Sequence, residues 1–83
     1  MEYRLSVDFE AVLFLDGLSP LRHAQMMQWL ERLRNAPFSR GHVTVKDPTD
    51  RDIQVVRVAG LRVHFWSDHA VKTVQVVKIE RDV

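Results

Sequence analysis

Cysteine is absent from this chain, which rules out both a disulfide framework and a thiolate metal site. Long apolar runs are missing too. None approaches the roughly 18 residues of a membrane-spanning helix, and Met1-Glu2-Tyr3-Arg4 opens no basic n-region followed by an apolar h-region. A cytoplasmic protein with no membrane association is therefore the expectation. There is no internal repeat, linker or low-complexity tract. The 83 residues are read as one domain, 1–83, with one small core. A chain of this size buries only about two-thirds of the surface its unfolded form exposes. Strong net charge is lacking as well. At +1 the chain carries no basic footprint of a dedicated DNA-binding domain, although its cations are unusual in kind: nine arginines against three lysines. His23, His42, His64 and His69 are too scattered in sequence to suggest a zinc site. No metal and no small-molecule cofactor is expected.

What is present is a run of β-branched and aromatic residues broken by turn signals. Tyr3 to Val7 alternates as a short strand, with Tyr3, Leu5 and Val7 on one side. Asp8 can cap a helix from Phe9 to Leu15 that ends at Asp16-Gly17. Ser19-Pro20 starts a second helix, with serine at the N-cap and proline at N1. That helix runs to about Arg34 and presents Leu21, Ala24, Met27, Leu30 and Leu33, flanked by Trp29, as its buried stripe. Asn35-Ala36-Pro37 stops it. A loop over 37–42, a strand from His42 to Lys46 and a turn at Asp47-Pro48-Thr49-Asp50-Arg51 lead into a meander. The predicted fold class is α+β in the order β-α-α-β-β-β(-β). Two N-terminal helices pack on one face of a twisted, mainly antiparallel sheet of four or five strands.

Register converts this outline into a candidate site. With Ala59-Gly60 as a two-residue hairpin, Val58 pairs with Leu61, Arg57 with Arg62, Val56 with Val63 and Val55 with His64. Val56, Val58, Leu61, Val63 and Phe65 then face the helices, and Arg57, Arg62, His64 and Trp66 face away. A four-residue corner, Ser67-Asp68-His69-Ala70, pairs Trp66 with Val71 and adds Thr73, Gln75, Val77, Ile79 and Arg81 to the uncovered face. Two arginines directly opposite one another are mildly destabilising unless an anion or an acidic group lies between them.

Here the chain resembles the RelE/ParE superfamily of toxin–antitoxin toxins. The resemblance rests on a short strand, a helical hairpin ending in Asn35-Ala36-Pro37, and the meander Arg57-Val-Ala-Gly-Leu-Arg62-Val-His-Phe-Trp66. The last strand, Val76-Val77-Lys78-Ile79-Glu80-Arg81, fits as well. It implies a bacterial toxin of the kind found in plasmid-stabilisation systems, neutralised by a cognate antitoxin. In the RelE branch such toxins are metal-free mRNA endoribonucleases working on the ribosome. In that branch Arg62 matches the arginine after the hairpin glycine, and Arg81 the arginine ending the last strand. The branch's two lysines would fall at Ile53 and Val55, and its C-terminal tyrosine has no match in these 83 residues. ParE-like members poison DNA gyrase on the same fold without the nuclease residues, and a third group acts through neither activity.

If the chain is a nuclease, the resemblance gives Arg62 and Arg81 the scissile phosphate and Arg57 the flanking backbone. His64 is then the only proton-transfer candidate on that face. Trp66, Gln75 and Lys78 complete a surface for nucleic acid or a partner. The bland readings stand beside these. Arg57 and Arg62 can be solvated cross-strand neighbours paired with Glu80 or an aspartate, His64 a half-buried surface histidine, and Trp66 a packing residue. A purely adaptor-like protein, binding an acidic peptide, remains an alternative.

Overall fold

The computed structural model describes residues 2–82. Its element order is β1 (Arg4–Val7), α1 (Phe9–Asp16), α2 (Pro20–Arg34), β2 (Val43–Lys46), β3 (Asp52–Val58), β4 (Leu61–Asp68) and β5 (Thr73–Arg81). The strands form one sheet in the order β1-β5-β4-β3-β2, antiparallel throughout except for the parallel pair β1–β5. That single parallel pair follows from the topology: the two helices return the chain to the far edge, and the last strand then enters between β1 and β4. The order and the α+β class are as the sequence predicts, with five strands.

Local signals account for the helix ends. The Ser19 hydroxyl accepts from the Arg22 amide at 3.4 Å, with Pro20 at the first helical position. Asp8 sits at the N-cap of α1 in extended backbone but makes no side-chain cap bond. Ala59 and Gly60 both adopt positive φ, 53° and 76°, the geometry of a tight hairpin between twisted strands. Arg22 donates a hydrogen bond to the Ala59 carbonyl and ties α2 to this turn.

The core lies between the helices and one face of the sheet. Met26, Leu30 and Leu33 of α2 and Ala11 and Leu15 of α1 meet Tyr3, Leu61, Val63, Phe65, Val74, Val76 and Ile79. The predicted stripe of α2 is corrected in part. Leu30 and Leu33 are buried, but Leu21 is 70% exposed and Met27 45%, and Met26 is fully buried in their place. Steps of three residues fall about 60° short of a full turn each time, so a stripe at 21, 24, 27, 30 and 33 winds around the helix. Steps of four and three, at 26, 30 and 33, stay on one side. Met26→Ala is therefore expected to cost about 2–5 kcal/mol in urea unfolding. Leu21→Ala should cost less than about 0.5 kcal/mol; the reverse ranking would contradict this packing.

Candidate functional site

The face turned away from the helices is built by β2, β3, β4 and β5. The β3–β4 register is the expected one, with Arg57 opposite Arg62 and Val55 opposite His64. On β5 the expectation fails halfway along. The connection still has four residues but lies two positions further on, at 69–72, so that Asp68 pairs with Thr73 and Trp66 with Gln75. Then His64 pairs with Lys78 while Phe65 pairs with Val76. Val77 is thus an extra residue, a β-bulge, and it reverses the alternation beyond it. Ile79 joins the core opposite Val63, and Arg81 pairs with Leu61 on the helix side. Lys78 and Glu80 take the uncovered face instead.

Arg81 is therefore removed from the site, as the bulge turns it to the helix side of the sheet. Arg57, Arg62, His64, Trp66, Gln75 and Lys78 do share the uncovered face. Ile53 and Val55 lie there too. They are buried, at 4% and 9% exposure, and pair with Val45 and Val43 of the edge strand. These valines and Val55 line an open cavity of about 330 Å³ with His42, Arg57, Arg62 and His64.

His42 is the residue that sequence reasoning missed. Its loop lies flat on β3: the Gly41 amide donates to Gln54 Oε1 at 2.9 Å and the His42 amide to the Val55 carbonyl at 2.8 Å. A Cβ on Gly41 would sit 2.3 Å from the Val55 carbonyl oxygen, so only glycine allows this approach. The loop brings His42 Nδ1 within 3.2 Å of the Arg57 backbone N–H, from which it accepts. An accepting Nδ1 leaves the proton of this neutral ring on Nε2. The glycine before the histidine was the available signal, but a single turn glycine does not say which strand its loop will cover.

Charge on this face is largely compensated from within. Glu80 Oε2 lies 2.7 Å from His64 Nε2 and 3.7 Å from Arg62 Nε, and Glu80 Oε1 lies 3.7 Å from Lys78 Nζ. Asp82, just beyond β5, lies 3.3 Å from Arg57 Nε and 3.7 Å from Arg62 Nε. This is the paired reading of Arg57 and Arg62 that the sequence left open. The pairing is incomplete, however. Arg62 Nε is buried and, among the described residues, has no hydrogen-bond acceptor, since both carboxylates stop at ion-pair distance. With the Glu80 carboxylate accepting from His64 Nε2–H, Nδ1 is the ring nitrogen that this contact leaves unengaged. Among the described residues, no cluster of three His, Asp or Glu side chains is gathered as a metal site.

The hydrogen bond to His64, reinforced by Arg62 and Lys78, holds the Glu80 carboxyl below its usual range. A depressed carboxylate pKa contributes stability above the unfolded value, near 4.5, and that stability is lost as pH falls through the folded one. Glu80→Gln should accordingly lower stability at pH 7 by roughly 1 kcal/mol. The difference from the parent chain should shrink as the pH is taken below 4.5. Urea unfolding at a series of pH values measures this, and a difference that does not change with pH would contradict the pairing.

No family model matches this sequence. No curated protein matches it either. Solved structures do. RelE from the archaeal RelE–RelB complex of Pyrococcus horikoshii superposes with a TM-score of 0.80 at 19% identity, covering 99% of this chain and 97% of that one. The toxin–antitoxin complex RelBE2 of Mycobacterium tuberculosis contains a chain matching at 0.79 and 17% identity, over 98% of this chain and 99% of that one. The isolated RelE toxin of E. coli matches at 0.76 and 14% identity, over 98% and 85%. At these identities the likeness is one of architecture: this chain has the fold of the RelE toxins along nearly its whole length.

Proposed function

We propose that this chain is the toxin of a toxin–antitoxin pair and that its uncovered sheet face engages a phosphodiester of RNA. The observation that carries the RNA reading is the buried Nε–H of Arg62, without an acceptor among the described residues and set beside a second arginine and a histidine. A phosphate oxygen that displaces Glu80 or Asp82 is an acceptor such a donor suits, and it would relieve the opposition of Arg57 and Arg62. The partner reading draws on the structural neighbours, two of which are named as toxin–antitoxin complexes. The backbone edges of β1 and β2 are free for strand addition by such a partner.

In this reading His64 Nδ1 takes the proton of a 2′-hydroxyl as its oxygen attacks phosphorus and the 5′-oxygen leaves. Among the described residues, the other proton donors on this face are engaged: Lys78 Nζ lies 3.7 Å from Glu80 Oε1. His42 Nδ1 accepts from the Arg57 amide, and Arg81 faces the other way. A positioned acid contributes about 10²–10⁴-fold, so the chain alone should cleave slowly, the leaving oxygen drawing its proton from water or from the target.

A second reading, binding without cleavage, is favoured by Ile53 and Val55, apolar where the RelE branch would carry lysines. The carboxylates of Glu80 and Asp82 favour it as well.

Induced expression in a bacterial host, with growth, translation and replication followed together, separates these readings. Early arrest of translation is expected, and Arg62→Ala should abolish it while the chain still folds; undiminished toxicity of that variant would sink the assignment. Arrest of replication with translation intact would mark a gyrase poison, and unimpeded growth would leave binding alone. Asp82 competes with phosphate for Arg57 and Arg62, so Asp82→Asn should tighten binding of single-stranded RNA by roughly threefold, measured by anisotropy titration. Weaker binding by that variant would place RNA elsewhere.

A further inference from the structure

A second cavity, of about 340 Å³, opens between the 37–42 loop and the adjoining ends of β3 and β4. Its walls combine rings and guanidinium groups: Phe38, His69 and Trp66 with Arg40 and Arg51. Phe38 is 74% exposed, more than any other aromatic ring among the described residues. One of its faces is taken. The His69 imidazole stacks on it with centroids 4.6 Å apart and planes 11° from parallel. That imidazole is itself fixed by Tyr3, whose hydroxyl lies 2.7 Å from His69 Nδ1, and the Tyr3 ring meets Phe38 edge-on. The rest of the Phe38 ring is an apolar surface open to water.

The cations differ in the same way. Arg51 lies flat over Trp66, 3.9 Å from the ring centroid, and is held by Asp47. Arg40 is exposed and, among the described residues, has none of the ion pairs that occupy Arg34, Arg51, Arg57 and Arg62. A fixed aromatic plane beside an unpaired arginine matches a flat, π-faced group that carries an anion, as an unpaired nucleobase with its phosphate does. The cavity adjoins the first site at Trp66, with Gln54, Phe65 and Ser67 lining it from the helix side of the sheet. Trp66 follows His64 by two residues on the same face of β4, a separation of roughly 7 Å and comparable with one step of an extended nucleic-acid backbone.

We infer that this cavity is a base-stacking subsite, in which Phe38 receives an unpaired base of single-stranded RNA and Arg40 its phosphate. The inference rests on the RNA reading above, and its test separates the two. The full chain is titrated with two fluorescent hexanucleotides carrying 2′-fluoro sugars, so that neither can be cleaved. One bears all its bases and the other is abasic at its two central positions. The base-bearing strand should bind the parent chain about tenfold more tightly. Phe38→Ala should erase that ratio, Phe38→Tyr should keep it, and Arg40→Ala should weaken both strands and lower the salt dependence by about one ion. Arg62→Ala should weaken both strands while leaving the ratio intact.

Equal binding of the two strands to the parent chain would overturn the subsite and leave the phosphate site standing. A ratio that survives Phe38→Ala would overturn it too, and point to Phe38 as part of a protein contact. Binding of neither strand would overturn both proposals.

Discussion

One extra residue in the last strand decides what this protein can present to a partner. Val77 bulges out of the β4–β5 ladder, and every side chain after it changes face. Without the bulge, Ile79 and Arg81 would lie on the uncovered surface and Glu80 would point at the helices. With it, Ile79 completes the core against Val63, and a carboxylate reaches the arginine and histidine of β4. The energetics favour this arrangement from both sides. A buried isoleucine gains about 1.5–3 kcal/mol relative to an exposed one, and without the bulge Lys78 would take its place opposite the fully buried Val63, a charge in an apolar layer.

The uncovered face is consequently neither a plain cationic patch nor a neutral surface. Arg57 and Arg62 are forced together by the two-residue hairpin, and Glu80 and Asp82 moderate their repulsion without saturating their donors. Such a face can exchange an internal carboxylate for an external phosphate at little net cost, since one anion replaces another. It also keeps the chain near neutrality while unbound, consistent with its net charge of +1. The apolar floor of Ile53 and Val55 lowers the local dielectric beneath these charges, which strengthens whichever anion is present.

Much of this was legible in the sequence because short-range rules govern it. The Ser19-Pro20 start, the Ala59-Gly60 turn and the alternation through Leu61-Arg62-Val63-His64-Phe65-Trp66 each fix a local geometry, and together they set the β3–β4 register. The bulge was harder to see, although its trace is there. Gln75 and Lys78 are separated by an odd step and cannot share a face of a regular strand, and the adjacent valines Val76 and Val77 mark where the alternation breaks. His42 was beyond sequence reasoning, because its place depends on where a glycine-bearing loop lies down on a strand that follows it in the chain. Met26 fell outside the expected stripe for a simpler reason: a run of three-residue steps looks periodic in sequence but drifts around a helix.

The central claim is that Arg62 holds a buried donor waiting for a phosphate oxygen. The most direct measurement is the ¹⁵N–¹H spectrum of the arginine Nε–H groups during titration with a non-cleavable single-stranded RNA. The account predicts a saturable downfield shift and slowed solvent exchange at Arg62 Nε–H, with a smaller change at Arg57 and none at Arg81. An unperturbed Arg62 signal at saturating RNA, or a response dominated by Arg81, would contradict it.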